Sequence, residues 1–217
     1  FRYLEAFGGG RIGGVLWPDD RLALRQRWSL DVAHDGSPAE GLNVAWNMLR
    51  ASDDDYWKDF PRQLDTKTPR LLPSRLRIDR RLGSDWTAYA RVQRWQVLQD
   101  DTSRIEAPYE RVPQIGLRGR QQTGGFELSV EGELNRFTEV SDGRADPAAA
   151  ARPTGTRTHL VGSVARPYLS PGWTVTPRLS LNAASYALDA PLADGRRNLS
   201  RVVPTLSVDS AWVLERD

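Results

Sequence analysis

Apolar and polar side chains alternate at a period of two through segment after segment, and no other feature of this chain constrains its fold as much. Over residues 21–34, Leu22, Leu24, Trp28, Leu30 and Val32 fall on one side, with Arg25, Arg27, Ser29 and Asp31 on the other. The split recurs over 75–82, where Leu76 and Ile78 oppose Arg75, Arg77, Asp79 and Arg81. Over 125–137, Phe126, Leu128, Val130 and Leu134 oppose Glu127, Ser129, Glu131, Glu133 and Asn135. Val175, Leu179 and Leu181 likewise alternate with Thr174, Thr176, Arg178, Ser180 and Asn182. Successive residues of a strand point to opposite faces, whereas a helix repeats every 3.6 residues. The pattern predicts an all-β, antiparallel chain with one apolar and one polar face.

Any antiparallel sheet with one wet face alternates in this way, so strand length and connections have to discriminate. Many segments run to about ten residues or more, the length of membrane-crossing strands; soluble strands cluster near five or six. The links also alternate. Short ones are predicted at 8–9, 35–39, 83–84, 122–124 and 170–172, and long ones at 51–69, 99–112, 139–156 and 189–201. Short turns at one end and long loops at the other are the rule in outer-membrane barrels. Residues 18–20 form a short link where a long one is expected. The reading is an antiparallel transmembrane β-barrel segment of roughly eleven strands, part of a larger barrel. Pro73, Pro167, Pro177 and Pro204 each remove a ladder donor, and pairing is expected to break near them. The alanine-rich stretch at 145–153 reads as a mobile external loop.

Composition narrows the function classes. With 39% hydrophobic residues and a mean hydropathy of -0.55, the chain has no apolar run long enough for a membrane helix. Charged residues make up 27% but the net charge is only +2, so no single-sign patch suggests nucleic acid as a partner. The absence of cysteine removes thiolate zinc sites, thiol catalysis and disulfides from this segment. His34 and His159 stand apart from any ligand set and read as structural or solvated. Asp53, Asp54 and Asp55 lack the ligand spacing of a calcium loop and read as a solvated acidic tip. Gly8–Gly10 and Gly13–Gly14 lack the Lys-Ser or Lys-Thr that completes a phosphate cradle. No serine is singled out by a base and an orienting partner. The expectation is a non-enzyme with no catalytic, metal or cofactor residues.

Ordered phrases add a family resemblance. "FRYL" at 1–4 precedes a Gly-rich turn and a strand ending in "WPDD" at 17–20; "ASDDDYWKDF" occupies 51–60 and "VQRWQVL" 92–98. "APYERVPQI" follows at 107–115, and "RVVPTLSVDSAWVLERD" closes the chain at 201–217. Together these resemble the barrel of the lipopolysaccharide-assembly LptD (organic solvent tolerance) family across essentially the whole chain. The resemblance implies that residues 1–217 all belong to the outer-membrane barrel domain, and that the sequence starts several strands in and stops before the barrel closes. It places the chain in the outer membrane of a Gram-negative bacterium, as wall rather than gate of a translocon that inserts lipopolysaccharide into the outer leaflet. Implied partners are lipopolysaccharide, outer-membrane lipid, the LptE lipoprotein plug and, through a missing amino-terminal domain, the periplasmic Lpt bridge. The candidate lumen-facing residues are Arg25, Arg27, Arg77, Glu131, Glu133 and Arg178. Trp17, Trp28, Trp86 and Trp173 are candidates for an interfacial aromatic belt. Rival readings are another porin or receptor barrel, which should lack the ordered phrases, and a soluble carbohydrate-binding β-sandwich. An excised stretch of wall would have two unpaired edges and is expected to be unstable alone.

Overall fold

Residues that alternate in this way can satisfy every backbone group only by pairing side by side, and they do so in order along the chain. In a computed structural model that describes residues 1–64, 67–140 and 152–214, the strands are β1 (Arg2–Glu5), β2 (Gly8–Asp20), β3 (Arg25–Ala39), β4 (Leu42–Ala51), β5 (Leu71–Leu82), β6 (Trp86–Val97), β7 (Glu110–Thr123), β8 (Phe126–Thr138), β9 (Gly155–Ala165), β10 (Tyr168–Ser170), β11 (Trp173–Leu188) and β12 (Asn198–Trp212). A one-turn helix, α1 (Tyr56–Asp59), lies between β4 and β5. Every pairing is antiparallel, within one 12-stranded sheet. β9 and β10 both lie on the same side of β11, at Ala165↔Arg178 and Tyr168↔Val175, so they are one strand interrupted at Arg166 and Pro167. The twelve segments therefore form an eleven-step meander. No helix among the described residues is long and apolar enough to cross a membrane. Apart from β1 and β10, the strands are 10 to 16 residues long, enough to cross a bilayer at a tilt.

The register assigns each side chain to a face. Ile12↔Val32, Val44↔Ile78, Ala90↔Ile115, Val130↔Gly162 and Leu179↔Leu206 meet on the apolar face. That face is the exposed one: Leu179 is 54% accessible, Leu206 76% and Val202 62%. The polar face is more enclosed, with Arg27, Asp79, Gln114 and Asn135 all buried. A soluble sandwich inverts this arrangement, because it hides its apolar faces against one another. The buried apolar core is small and local. Leu49, Ala51, Tyr56, Leu64, Leu72 and Leu98 cluster where the β4–β5 segment folds against the long-loop end of the sheet.

Several local expectations change. Leu22 and Leu24 do not extend the apolar side of β3. β2 instead runs to Asp20, and the chain reverses through residues 21–24, ending with Leu24 at a φ of 52°. β3 continues through 35–39, leaving the reversal to Glu40 and Gly41. At the tight turn between β7 and β8, Gly124 and Gly125 have φ of 56° and 78°, the paired left-handed geometry of a two-residue hairpin that side chains resist. The proline expectation holds at Pro167 and on one side of Pro73, where the β4–β5 ladder stops at Met48↔Ser74 while pairing with β6 continues, but fails at Pro204, which keeps continuous register. Pro177 also keeps register with Val208, and its carbonyl accepts from the Arg166 amide just where β9 has ended, so little of the ladder is lost. The register instead shifts between Trp17 and Asp20, Gly36 and Ala39, Arg91 and Gln93, and Arg111 and Gln114. Three of these intervals contain Pro18, Pro38 and Pro113. Residues 145–151 of the alanine-rich stretch and the closing Glu-Arg-Asp at 215–217 lie outside the described residues.

Candidate functional site: the polar face

Two clusters organise the polar face. At the long-loop end, the Arg27 guanidinium is 2% accessible and bonds Asp53 Oδ1 at 2.9 Å, Asp59 Oδ2 at 2.6 Å and Asp20 Oδ2 at 3.4 Å. It lies over the rings of Tyr56, at 5.6 Å, and Phe60, at 4.9 Å, while Trp17 stacks on Phe60 at 5.5 Å. Tyr56 Oη donates to Ser29 Oγ at 2.9 Å, and Arg25 donates to Asp53 at 3.0 Å. An arginine sends one flat fork to several carboxylates and stacks on rings, which a lysine cannot do. Arg27 thereby fastens the segment after β4 to β2 and β3. Asp53 is consequently a buried ion-pair partner rather than a solvated tip. Burial works to raise its carboxyl, but bonds from Ser52 and Arg27 and the charges of Arg27 and Arg25 hold it below the usual carboxylate range.

A second clasp joins two loops. Lys58 Nζ meets Asp100 Oδ2 at 2.9 Å, and that bond, with donors from Thr102, holds Asp100 well below the carboxylate range. Depressed carboxylates stabilise the folded form at pH above their unfolded value, near 3.9, and lose that contribution as pH falls through the folded value. Protease resistance of residues 52–64 is therefore expected to be flat from about pH 8 to 5 and to fall only below about pH 4. A loss centred near pH 6 would count against these two aspartates.

In the middle of the sheet, Tyr89 on β6 crosses β7 to reach β8, its hydroxyl lying 3.1 Å from Glu131 and 3.2 Å from Glu133. Glu133 also accepts from Gln114 at 2.8 Å, from Asn135 at 2.6 Å and from Arg157. The crossing requires Gly116, opposite Tyr89 in register, because any Cβ there would collide with the phenol ring. Gly116→Ala is expected to cost about 2 kcal/mol, as overpacking does, and much less in a Tyr89→Ala background. Strict additivity in chemical unfolding of the two variants and their combination would remove the coupling.

All six sequence candidates lie on this face, but in separate groups. Arg25 and Arg27 share Asp53, Glu131 and Glu133 share Tyr89, Arg77 pairs with Asp79, and Arg178 reaches Ser163 at 3.4 Å and Glu127 at 3.9 Å. Sequence reasoning missed Tyr89, Gln114, Asn135 and Arg157, although a glycine two residues after Gln114 was a visible signal for a large neighbour. His34 bonds Tyr3 Oη at 2.7 Å and His159 meets Asn182 at 3.0 Å, both structural contacts. Of the four tryptophans expected at the interface, Trp17 is instead on the polar face, drawn there by Phe60. Trp86 and Trp173 lie on the apolar face at the short-turn end, Trp86 over Gly119 and Trp173 beside Trp212 at 6.5 Å.

Known proteins are similar to this chain in sequence. The family described as LptD, LPS transport system D, matches residues 25–217. "LPS-assembly protein LptD" of Acidovorax sp. (strain JS42) is 37% identical over 100% of this chain and 27% of its own length. Its counterpart in Paracidovorax citrulli is 39% identical over 100% of the chain and 27% of its own length, and that of Ralstonia nicotianae 35% over 100% and 26%. The chain thus spans about a quarter of the length of the curated relatives it matches. A match that covers most of a single antiparallel sheet, with its apolar face outward and its polar residues enclosed, means that this chain belongs to the LptD family.

Proposed function

We propose that residues 1–217 form part of the wall of one outer-membrane barrel, in a Gram-negative envelope, through which lipopolysaccharide reaches the outer leaflet. The observation that carries this is where charge falls on the apolar face. Between the strand ends it holds Leu30 and Val32, Leu76 and Ile78, Leu128 and Val130, and Leu179 and Leu181, whereas Arg80, Arg94, Arg136 and Arg166 sit toward the ends. A band without charge between charged rims matches hydrocarbon between two headgroup layers. The polar face then lines the lumen, with Arg25, Arg27, Arg77, Glu131, Glu133 and Arg178 pointing into it. Among the described residues, Arg75 and Arg91 stack on Trp95 and Tyr89 without an ion pair, leaving positive charge for a passing sugar-phosphate headgroup. The LptE lipoprotein plug would meet the same face, and the periplasmic Lpt bridge a part of the protein outside this chain. The relatives' name, an assembly protein, fits transport rather than catalysis.

Photocrosslinking in the full-length protein tests the assignment. A probe at Leu179 should capture membrane lipid, and one at Glu131 lipopolysaccharide or the plug. Capture of periplasmic soluble proteins at Leu179, or of acyl chains at Glu131, would overturn it.

A further inference from the structure

Arg166 is a cation on the apolar face that the barrel reading leaves without a task. It occupies the interruption between β9 and β10, its backbone fixed by the bond to the Pro177 carbonyl. Its guanidinium lies over the Phe126 ring at 5.0 Å and the Tyr168 ring at 5.4 Å. Those rings cover the faces of the guanidinium and leave its N–H edges available. Among the described residues no acceptor takes those N–H groups. The nearby carboxylate, Glu127, is turned to the other face toward Arg178. At the same end of the apolar face Arg80 donates to the Glu40 carbonyl at 2.9 Å, and at the opposite end Arg136 donates to Asp189 at 2.6 Å. The short turns at Gly124–Gly125 and at 171–172 put this group at the end that faces the periplasm in such barrels.

We propose that Arg166, clamped by Phe126 and Tyr168, binds the phosphodiester headgroup of an inner-leaflet phospholipid, whose acyl chain runs over Val164 and Leu128 up the apolar face. An arginine edge with free N–H groups suits a phosphate, which it grips by two parallel N–H bonds. Tyr168 is an amphipathic ring of the kind found at the headgroup level. The inference rests on the apolar face meeting lipid, and its test separates the two claims.

The full-length protein is reconstituted in vesicles of phosphatidylethanolamine and phosphatidylglycerol that carry trace photoreactive lipids, some labelled in the headgroup and some at the chain terminus. Headgroup label is expected on residues 166–169. It should fall about fivefold in Arg166→Gln, the weight of one cation at a membrane surface, and stay unchanged in Arg80→Gln, which removes equal charge at the same end. Chain-terminus label at Leu179 in every variant reports that the wall is folded and in lipid. Equal headgroup labelling in Arg166→Gln overturns the site. Loss of the Leu179 label in the unaltered protein overturns the wall reading beneath it.

Discussion

An Arg27→Met protein is expected to release residues 52–64 while its sheet stays paired. Arg27 and Asp53 are 2% and 7% accessible, so removing the cation leaves a buried carboxylate with Ser52, the Asp55 backbone N–H and the exposed Arg25 for compensation. Breaking one partner of a buried pair costs about 3–5 kcal/mol. Asp59 is half exposed and recovers some solvation, which points to the lower end of that range. About 3 kcal/mol corresponds to roughly a hundredfold loss of amide protection. Hydrogen exchange should register it across Tyr56, Phe60 and Leu64 and hardly at all in β8 or β11. Arg27→Lys should recover little, because one ammonium cannot reach Asp20, Asp53 and Asp59 together or stack on two rings. Combining Arg27→Met with Asp53→Asn should cost less than the two changes summed, since the second removes the charge stranded by the first. Unchanged protection in Arg27→Met would mean that the apolar cluster of Leu49, Leu72 and Leu98 holds the segment unaided.

Leu179→Arg and Ser180→Arg, neighbours near the middle of β11, should differ as widely as any adjacent pair in the chain. Leu179 lies between Val164 and Leu206 on the apolar face, and Ser180 between Ser163 and Thr205 on the polar one. An arginine facing lipid near mid-bilayer costs about 2–4 kcal/mol, while a lumen position tolerates charge. In unfolding of the full-length protein from vesicles, Leu179→Arg should therefore lose that amount and Ser180→Arg almost nothing. Equal effects would mean that the two faces share one solvent.

How much was legible in advance depended on whether the physics was local. The strand at 125–137 was predicted to within a residue or so, because its alternation is uninterrupted and Gly124–Gly125 punctuate it. The one at 21–34 was misjudged at its start, because Leu22 and Leu24 keep the period of two although the chain is turning. Faces transferred well from sequence to structure, and all six candidate residues share one. Their partners did not, because no local rule says that Asp53 returns to Arg27 across 26 residues or that Tyr89 spans a strand to meet Glu131 42 residues away.

By itself the sequence settled the class of fold, the two faces and the order of the hairpins, since a period of two and glycine-bearing turns act through neighbours along the chain. Only the tertiary structure decided which strand each polar side chain spans and where the register slips. It also decided that the segment after β4 folds against the polar face instead of standing in solvent. Those outcomes depend on which atoms the paired strands bring within bonding distance, and that distance is set by the whole sheet.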